Sequence, residues 1–413
     1  MAAHLPRLRH DLDLMPSPLD EQPGVFIRDP MRYSTVTLVV PPALIPGLAC
    51  FDGHHDEADL RATLARTSGR VAVADSARHI ARALSDAGFL DDARFAEMRA
   101  ARSAELAALA ERPAAHAGSA YPDRVPALRK TLRGYFDGVE PAGAPAPEPA
   151  PEPPCAIAAP HVSPEGGWKS YAQAYRALPA PAGDDRVFVI LGTSHYGAPD
   201  RYGLTRKPFA TPFGQARTDT ALVDALAAAA PNAVSFDDPA GFVEHAVEFQ
   251  VVFLQHLYGP DVRILPVLCG AFAHGPRAGR RPETSDAVRR FVGALGELAA
   301  SDARLTFVLG VDFAHVGLRY GDPQAARANQ GAAVEVARRD QQRLARIAAG
   351  DADGFWDLVT ERGDDDLKWC GTSPLYTFLR AVPNARGTLH GYEQWNIDRS
   401  SIVSFGAVSF SRN

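Results

Sequence analysis

Strong charge of one sign, cysteine and long apolar runs are all scarce in this 413-residue chain, and each scarcity removes a class of function. Lys and Arg total 43 against 49 Asp and Glu, for a formal net charge of −6, and no basic stripe interrupts the sequence. That balance argues against a nucleic-acid partner, whose phosphates call for clustered cations. The four cysteines, at 50, 155, 269 and 370, are scattered without CxxC spacing. They make a poor disulfide framework and suggest a reducing cytoplasm with mostly buried thiols. The apolar stretch 36–51 is cut by Pro41, Pro42 and Pro46 and is too short to span a bilayer, so no membrane partner is expected. The N-terminal residues lack the apolar core of a signal peptide. Neither Gly-x-Ser-x-Gly nor Walker A nor a dinucleotide-binding GxGxxG occurs, and His245 has no second His at HExxH spacing.

What is present is an ordinary globular composition, 46% apolar and 22% charged, over a length that holds two or three domains. Residues 1–92 read as a small α+β unit. Helical patterns fall at 44–51, 56–66 and 77–87, with strand-like material at Phe26, Ile27 and 35–40, as in a winged helix. An Ala-, Glu- and Arg-rich connecting helix covers 93–112, and a larger unit covers 113–413. Within the latter, 140–154 carries proline every second or third residue, which favours extended polyproline II and reads as an insertion. From Cys155 on, strand-like runs (156–159, 187–191, 263–268, 305–311, 402–410) alternate with helical ones (168–178, 219–229, 244–257, 283–300, 327–349, 352–358, 372–381). That alternation predicts an α/β sandwich around a mostly parallel or mixed sheet.

The histidines fall at telling places. Three apolar runs end in short loops carrying His161, His195 and His315, and the carboxyl ends of parallel strands converge on one crevice. Each alone is as readily a loop residue or cap; together they suggest one metal or acid–base site. Glu244, His245 and Glu248 read as charged positions on an otherwise apolar helix, where burial demands pairing. Asp312 and His315, three apart across a loop, suit a hydrogen-bonded pair that fixes the imidazole tautomer. Cys370 precedes a helix start, a setting that lowers a thiol pKa, although most free thiols are simply buried.

Two resemblances organise these features. Phe51-Asp52-Gly53, Leu60, Leu64, the 80–84 run and Gly88-Phe89-Leu90 resemble PqqD-like peptide-chaperone domains, winged helices that bind peptides by strand addition. The pieces AGSAYP (117–122), APH (159–161), ILGTSH (190–195), TPFG (211–214), EHAVEFQ (244–250), ILPVLCG (264–270), VDFAHVG (311–317), CGTSPLYTFL (370–379) and SIVSFGAVSF (401–410) resemble the Memo family. Its bacterial members are termed AmmeMemoRadiSam system protein B. The Memo fold in turn resembles class III extradiol (LigB-like) dioxygenases. The resemblance implies that His161, His195 and Cys370 are metal ligands and His245 an additional active-site His. His161 is followed by Val-Ser-Pro where the family has Ala-Gly-Tyr, which alters the loop that shapes the pocket.

The functional expectation is one transition-metal ion, Fe(II) or Cu with Zn as the other choice, since a thiolate replaces the carboxylate of the dioxygenase triad. His245, Asp312, His315 and Glu248 are expected as the acid–base set around it. The leading reading is a cytoplasmic, dioxygenase-like redox enzyme acting on a small molecule or peptide. The alternatives are an accessory protein whose N-terminal module captures a peptide or partner protein, and a zinc hydrolase with Glu248 or His245 as base.

Overall fold

Three short runs near the start of the chain pair into an antiparallel sheet: β1 (Asp13–Pro16), β2 (Val25–Arg28) and β3 (Thr37–Val40), in the order β1-β2-β3. Helices α1 (Glu57–Ser68), α2 (Val73–Asp86) and α3 (Ala93–Ala108) follow. Ile27, Phe51, Leu60, Leu64, Ile80, Leu84 and Phe89 form their shared core. The helix expected at 44–51 is a 3-10 turn, Ile45–Cys50, because Pro46 and Gly47 sit in its first turns. Asp92 caps α3 by accepting from the Phe95 N–H at 2.9 Å. The buried Arg9 guanidinium, paired with Asp29, lies 3.9 Å over the Phe95 ring. The expected connector is thereby tied into the first unit.

The computed structural model describes residues 4–17, 19, 21–68, 73–139, 153–181, 185–236, 239–273, 280–363 and 365–412. Its contacts divide the chain into Met1–Leu109 and Ala110–Asn413. Most of the Pro-rich segment lies outside the described residues.

In the second unit the elements run α4 (Val125–Asp137), β4 (Ala156–Ala159), α5 (Pro164–Arg176), β5 (Val187–Thr193), β6 (Tyr202–Leu204), β7 (Phe209–Thr211), β8 (Gly214–Thr218) and α6 (Thr220–Ala229). There follow β9 (Val234–Phe236), α7 (Pro239–Val243), α8 (Glu248–Tyr258), β10 (Arg263–Cys269), α9 (Asp286–Ser301), β11 (Leu305–Gly310) and β12 (His315–Gly317). The chain closes with α10 (Ala332–Ala348), α11 (Ala352–Thr360), α12 (Thr372–Ala381), β13 (Ala385–Asn396) and β14 (Ser401–Arg412). These strands form one mixed sheet whose centre, β4-β11-β5-β10, is parallel throughout.

Burial on both faces explains why the central strands read as unbroken apolar runs. Along β5, Val187, Val189 and Leu191 enter one core with Leu226, Phe291, Phe355 and Phe378, from α6, α9, α11 and α12. Phe188 and Ile190 enter the opposite core with Leu128, Tyr171, Tyr175 and Phe253, from α4, α5 and α8. Helices on both faces of the sheet make this an α/β sandwich, as the alternation predicts. The strands β6–β9 and β13 escape sequence reading because they are short or mix polar with apolar residues. No helix among the described residues is long and apolar enough to cross a membrane.

Candidate metal centre

Strand register brings the site loops together. Ala159 of β4 and Gly192 of β5 both pair with Gly310 of β11, so all three strands reach the same rung two or three residues before His161, His195 and Asp312. Gly310 is required there: a Cβ would meet the Ala246 carbonyl oxygen at 2.3 Å, so only glycine lets the 244–247 loop lie on the strand ends. A Cβ on Gly371 would meet the Asp312 carbonyl oxygen at 2.6 Å, and its absence lets the Cys370 loop close from the other side.

Each of the two strand-end histidines has one ring nitrogen committed. Nδ1 of His161, a fully enclosed residue, pairs with the Gly310 carbonyl at 2.9 Å. Nδ1 of His195 lies 3.0 and 3.1 Å from the two Glu244 oxygens, and its backbone N–H donates to the same carboxylate at 2.9 Å. Nε2 of each is thereby the candidate donor to an ion. Burial lowers the His195 pKa, but Glu244 and Cys370 outweigh it and hold it well above 6.5, so its Nε2 gives up a proton when an ion binds. The Cys370 Sγ stands 3.2 Å from His161 Nε2. Burial raises the thiol pKa, but His161 and His195 more than reverse this and bring it from 9.0 to about 7. His245 completes the cluster: nitrogens of His161, His195 and His245 lie within 4.8 Å of one another. Its ring stacks on His195, with centroids 5.1 Å apart. Two imidazole nitrogens and a readily formed thiolate suit a soft or borderline ion, with His245 a further nitrogen at hand.

Glu244 is the residue that sequence reasoning undervalued. The 244–247 segment is a loop, not helix: α8 begins only at Glu248, so Glu244 and Glu248 do not share a helix face. Freed from the helix, the buried Glu244 carboxylate also accepts from the His245 N–H at 2.9 Å and lies 3.2 Å from His245 Nδ1. Burial disfavours its charge, but His195 and His245 outweigh that and hold it well below the usual carboxylate range. It therefore orients two imidazoles at once. Replacing it, Glu244→Gln, is expected to weaken metal affinity about 10–100-fold at little cost in volume. Competition with a coloured chelator reads this.

Two further expectations are corrected. The Asp312–His315 pair does not form. Asp312 Oδ1 takes the His161 N–H at 2.9 Å, while His315 Nδ1 faces the carbonyls of Phe313 and Lys368 at 3.0 and 3.2 Å. Burial raises the Asp312 pKa from 3.8 to about 6, and burial lowers that of His315. Glu248 is not available for proton transfer. Its oxygens are taken by Arg112 at 2.7 Å, the Tyr121 hydroxyl at 2.5 Å and the N–H groups of Ala115 and His116 at 3.0 and 2.9 Å.

Asp340 on α10 carries no sequence signal, lying among Arg and Gln neighbours. Its buried carboxylate accepts from Trp369 Nε1 at 2.7 Å, the Tyr392 hydroxyl at 2.8 Å and Ser404 Oγ at 2.6 Å. Ser404 Oγ in turn takes the Ala314 N–H at 2.9 Å. One buried acid thus braces the Cys370 loop against the Asp312–His315 loop.

Residues 112–409 match the protein family described as Memo-like protein. A MEMO1 family protein of Aquifex aeolicus is 23% identical over 392 residues, 93% of this chain and 95% of that one. A MEMO1 family protein of Thermus thermophilus is 30% identical over 242 residues, 58% of this chain and 65% of the relative. A MEMO1 family protein of Methanopyrus kandleri is 27% identical over 312 residues, 73% and 99% of the two chains. The family match opens just past the unit boundary at Ala110 and takes in every loop that supplies the cluster. By that match, the chain belongs to the Memo-like protein family.

Proposed function

We propose that the second unit binds one transition-metal ion through His161, His195 and Cys370 and uses it in dioxygenase-like redox chemistry on a small molecule or peptide. The observation that carries this reading is the orientation of both strand-end histidines, each with Nδ1 held on a buried acceptor, around the Cys370 thiol, whose Sγ stands 3.2 Å from His161 Nε2. A thiolate-tolerant ion, Fe(II) or Cu before Zn, supplies electron transfer or Lewis acidity when bound.

The chain's own residues supply the rest. The His245 side chain is 30% exposed, so it meets incoming molecules while Glu244 steadies it. Burial and the neighbouring histidines lower its pKa well below 6.5, despite Glu244, so at neutral pH it is uncharged and in its free-base form. Asp312 holds the His161 backbone N–H and its carbonyl faces the Cys370 thiol, while His315 is held by the Phe313 and Lys368 carbonyls. With Glu248 spent, a hydrolase reading keeps only His245 as base.

The experiment is His245→Ala. Metal content stays near one ion per chain, measured by elemental analysis, while turnover of any substrate drops about 100-fold or more, the usual scale for a lost acid–base group. Loss of the ion in that variant makes His245 a ligand and overturns the assignment.

A second reading concerns the first unit. Among the described residues the order β1-β2-β3 leaves an outer edge on β1 and on β3, and Leu14 and Val36 are exposed beside them. Open edges accept an added strand, which supports recruitment of a peptide or partner protein. On this reading a chain cut to 110–413 keeps its metal. Loss of the metal makes the first unit structural support.

A further inference from the structure

A cavity of about 310 Å³ opens on the Cys370 side of the site. Its walls include Phe272, Trp356, Val359 and Trp369, and where it meets the metal site they are His195 and Cys370. The rings are held in place. Phe272 meets Trp356 edge-on at 5.7 Å, Trp356 leans on Tyr376 at 5.4 Å, and Trp369 stacks on Phe313 at 4.4 Å.

Most polar side chains around this cavity already have partners; Ser194, next to His195, accepts the Gly197 N–H at 3.2 Å through Oγ. Trp356 Nε1 donates to the Arg280 carbonyl at 3.0 Å and Ser373 Oγ to the Cys269 carbonyl at 3.1 Å. Thr372 Oγ1 donates to the Trp369 carbonyl at 2.9 Å and Thr193 Oγ1 to the Cys370 carbonyl at 3.0 Å. The Asp365 carboxylate is taken by Arg343 and by the N–H groups of Leu367 and Trp369. A charged or strongly polar group lodged among these walls would lose its hydration without replacement partners. Polar contact is offered chiefly at the end where the cavity reaches Ser194, His195 and Cys370. In size, a void of roughly 150 Å³ admits benzene, so this one holds a substituted or fused ring.

We propose that this cavity receives the uncharged aromatic end of a small-molecule substrate, with its one polar group turned toward His195 and Cys370. The proposal rests on the metal-site reading for which end of the molecule reacts. Rigid aromatic walls favour a planar ring over a saturated one of the same size, through stacked and edge-to-face contact.

The test uses the full-length, metal-loaded chain and two probes that share a hydroxymethyl group, benzyl alcohol and cyclohexylmethanol. Dissociation constants come from calorimetry or ligand-observed NMR, with metal content measured on the same samples. Benzyl alcohol is expected to bind about threefold or more tightly, although the saturated ring is the more hydrophobic of the two. Val359→Trp fills the cavity, and Ala271→Trp plugs it from an exposed position that tolerates bulk. Each is expected to weaken benzyl alcohol binding about tenfold or more with metal retained. Equal or tighter binding of cyclohexylmethanol overturns the aromatic assignment. Unchanged binding in a metal-replete Ala271→Trp protein overturns the cavity, as does stoichiometric metal with no binding of either probe. Selective binding that persists in protein unable to take up metal supports the cavity and overturns the metal-site reading alone.

Discussion

Replacing Cys370 by Ala is expected to lower the affinity for a thiophilic divalent ion by more than about 100-fold, beyond the usual loss for an outer-shell partner. The reason lies in charge. The two imidazoles contribute no charge as ligands, and the thiolate is the one anionic donor among the three. His161 at 3.2 Å and His195 already draw its pKa down to about 7, against burial, so near neutral pH little work remains to free the sulfur for a metal. Affinity accordingly falls as pH drops through about 7, where the thiol regains its proton, and Cys370→Ala loses that part of the slope. Chelator competition between pH 6 and 8 measures both effects.

The second large effect is on stability. Arg112→Met is expected to destabilise the 110–413 unit by about 3–5 kcal/mol, because it strands the Glu248 carboxylate in the interior. Arg112 and Glu248 are 2% and 0% exposed, and their 2.7 Å pair is the centre of a larger knot. The guanidinium also donates to the carbonyls of Gly241 and Glu244 and sits 4.7 Å over the Phe209 ring. Urea denaturation of the full chain reads the loss. Arg112→Met/Glu248→Gln is expected to recover part of it, since the neutral amide no longer needs a counter-charge. No recovery would mean that the ring and carbonyl contacts, and not the ion pair, hold the knot.

What could be read from sequence divides along a physical line. β4, β5, β10 and β11 are buried on both faces, so their apolar runs are continuous and their ends conspicuous. His161, His195 and Asp312 stand out because they follow those ends. The 244–257 run reads as one helix because its apolar content does not change at Glu248, where the helix starts. The break is set by tertiary hydrogen bonds that Glu244 accepts from His195, 49 residues away in sequence, which no local pattern encodes. Glu248 likewise looks catalytic until its partner is seen 136 residues upstream. Asp340 hides on a charged helix whose other polar residues mostly face solvent, and only its burial against Trp369, Tyr392 and Ser404 sets it apart.

The central claim is that the ion is held by two imidazoles and one thiolate, not by the three histidines whose nitrogens also converge. X-ray absorption on the full-length chain loaded with one equivalent of zinc tests it most directly. The expected inner shell contains one sulfur at about 2.3 Å and two imidazole nitrogens at about 2.0–2.1 Å, any remaining position being filled by a lighter donor. A shell of nitrogen and oxygen alone, with three imidazoles and no sulfur, would place His245 in the ligand set, remove Cys370 from it and contradict the account.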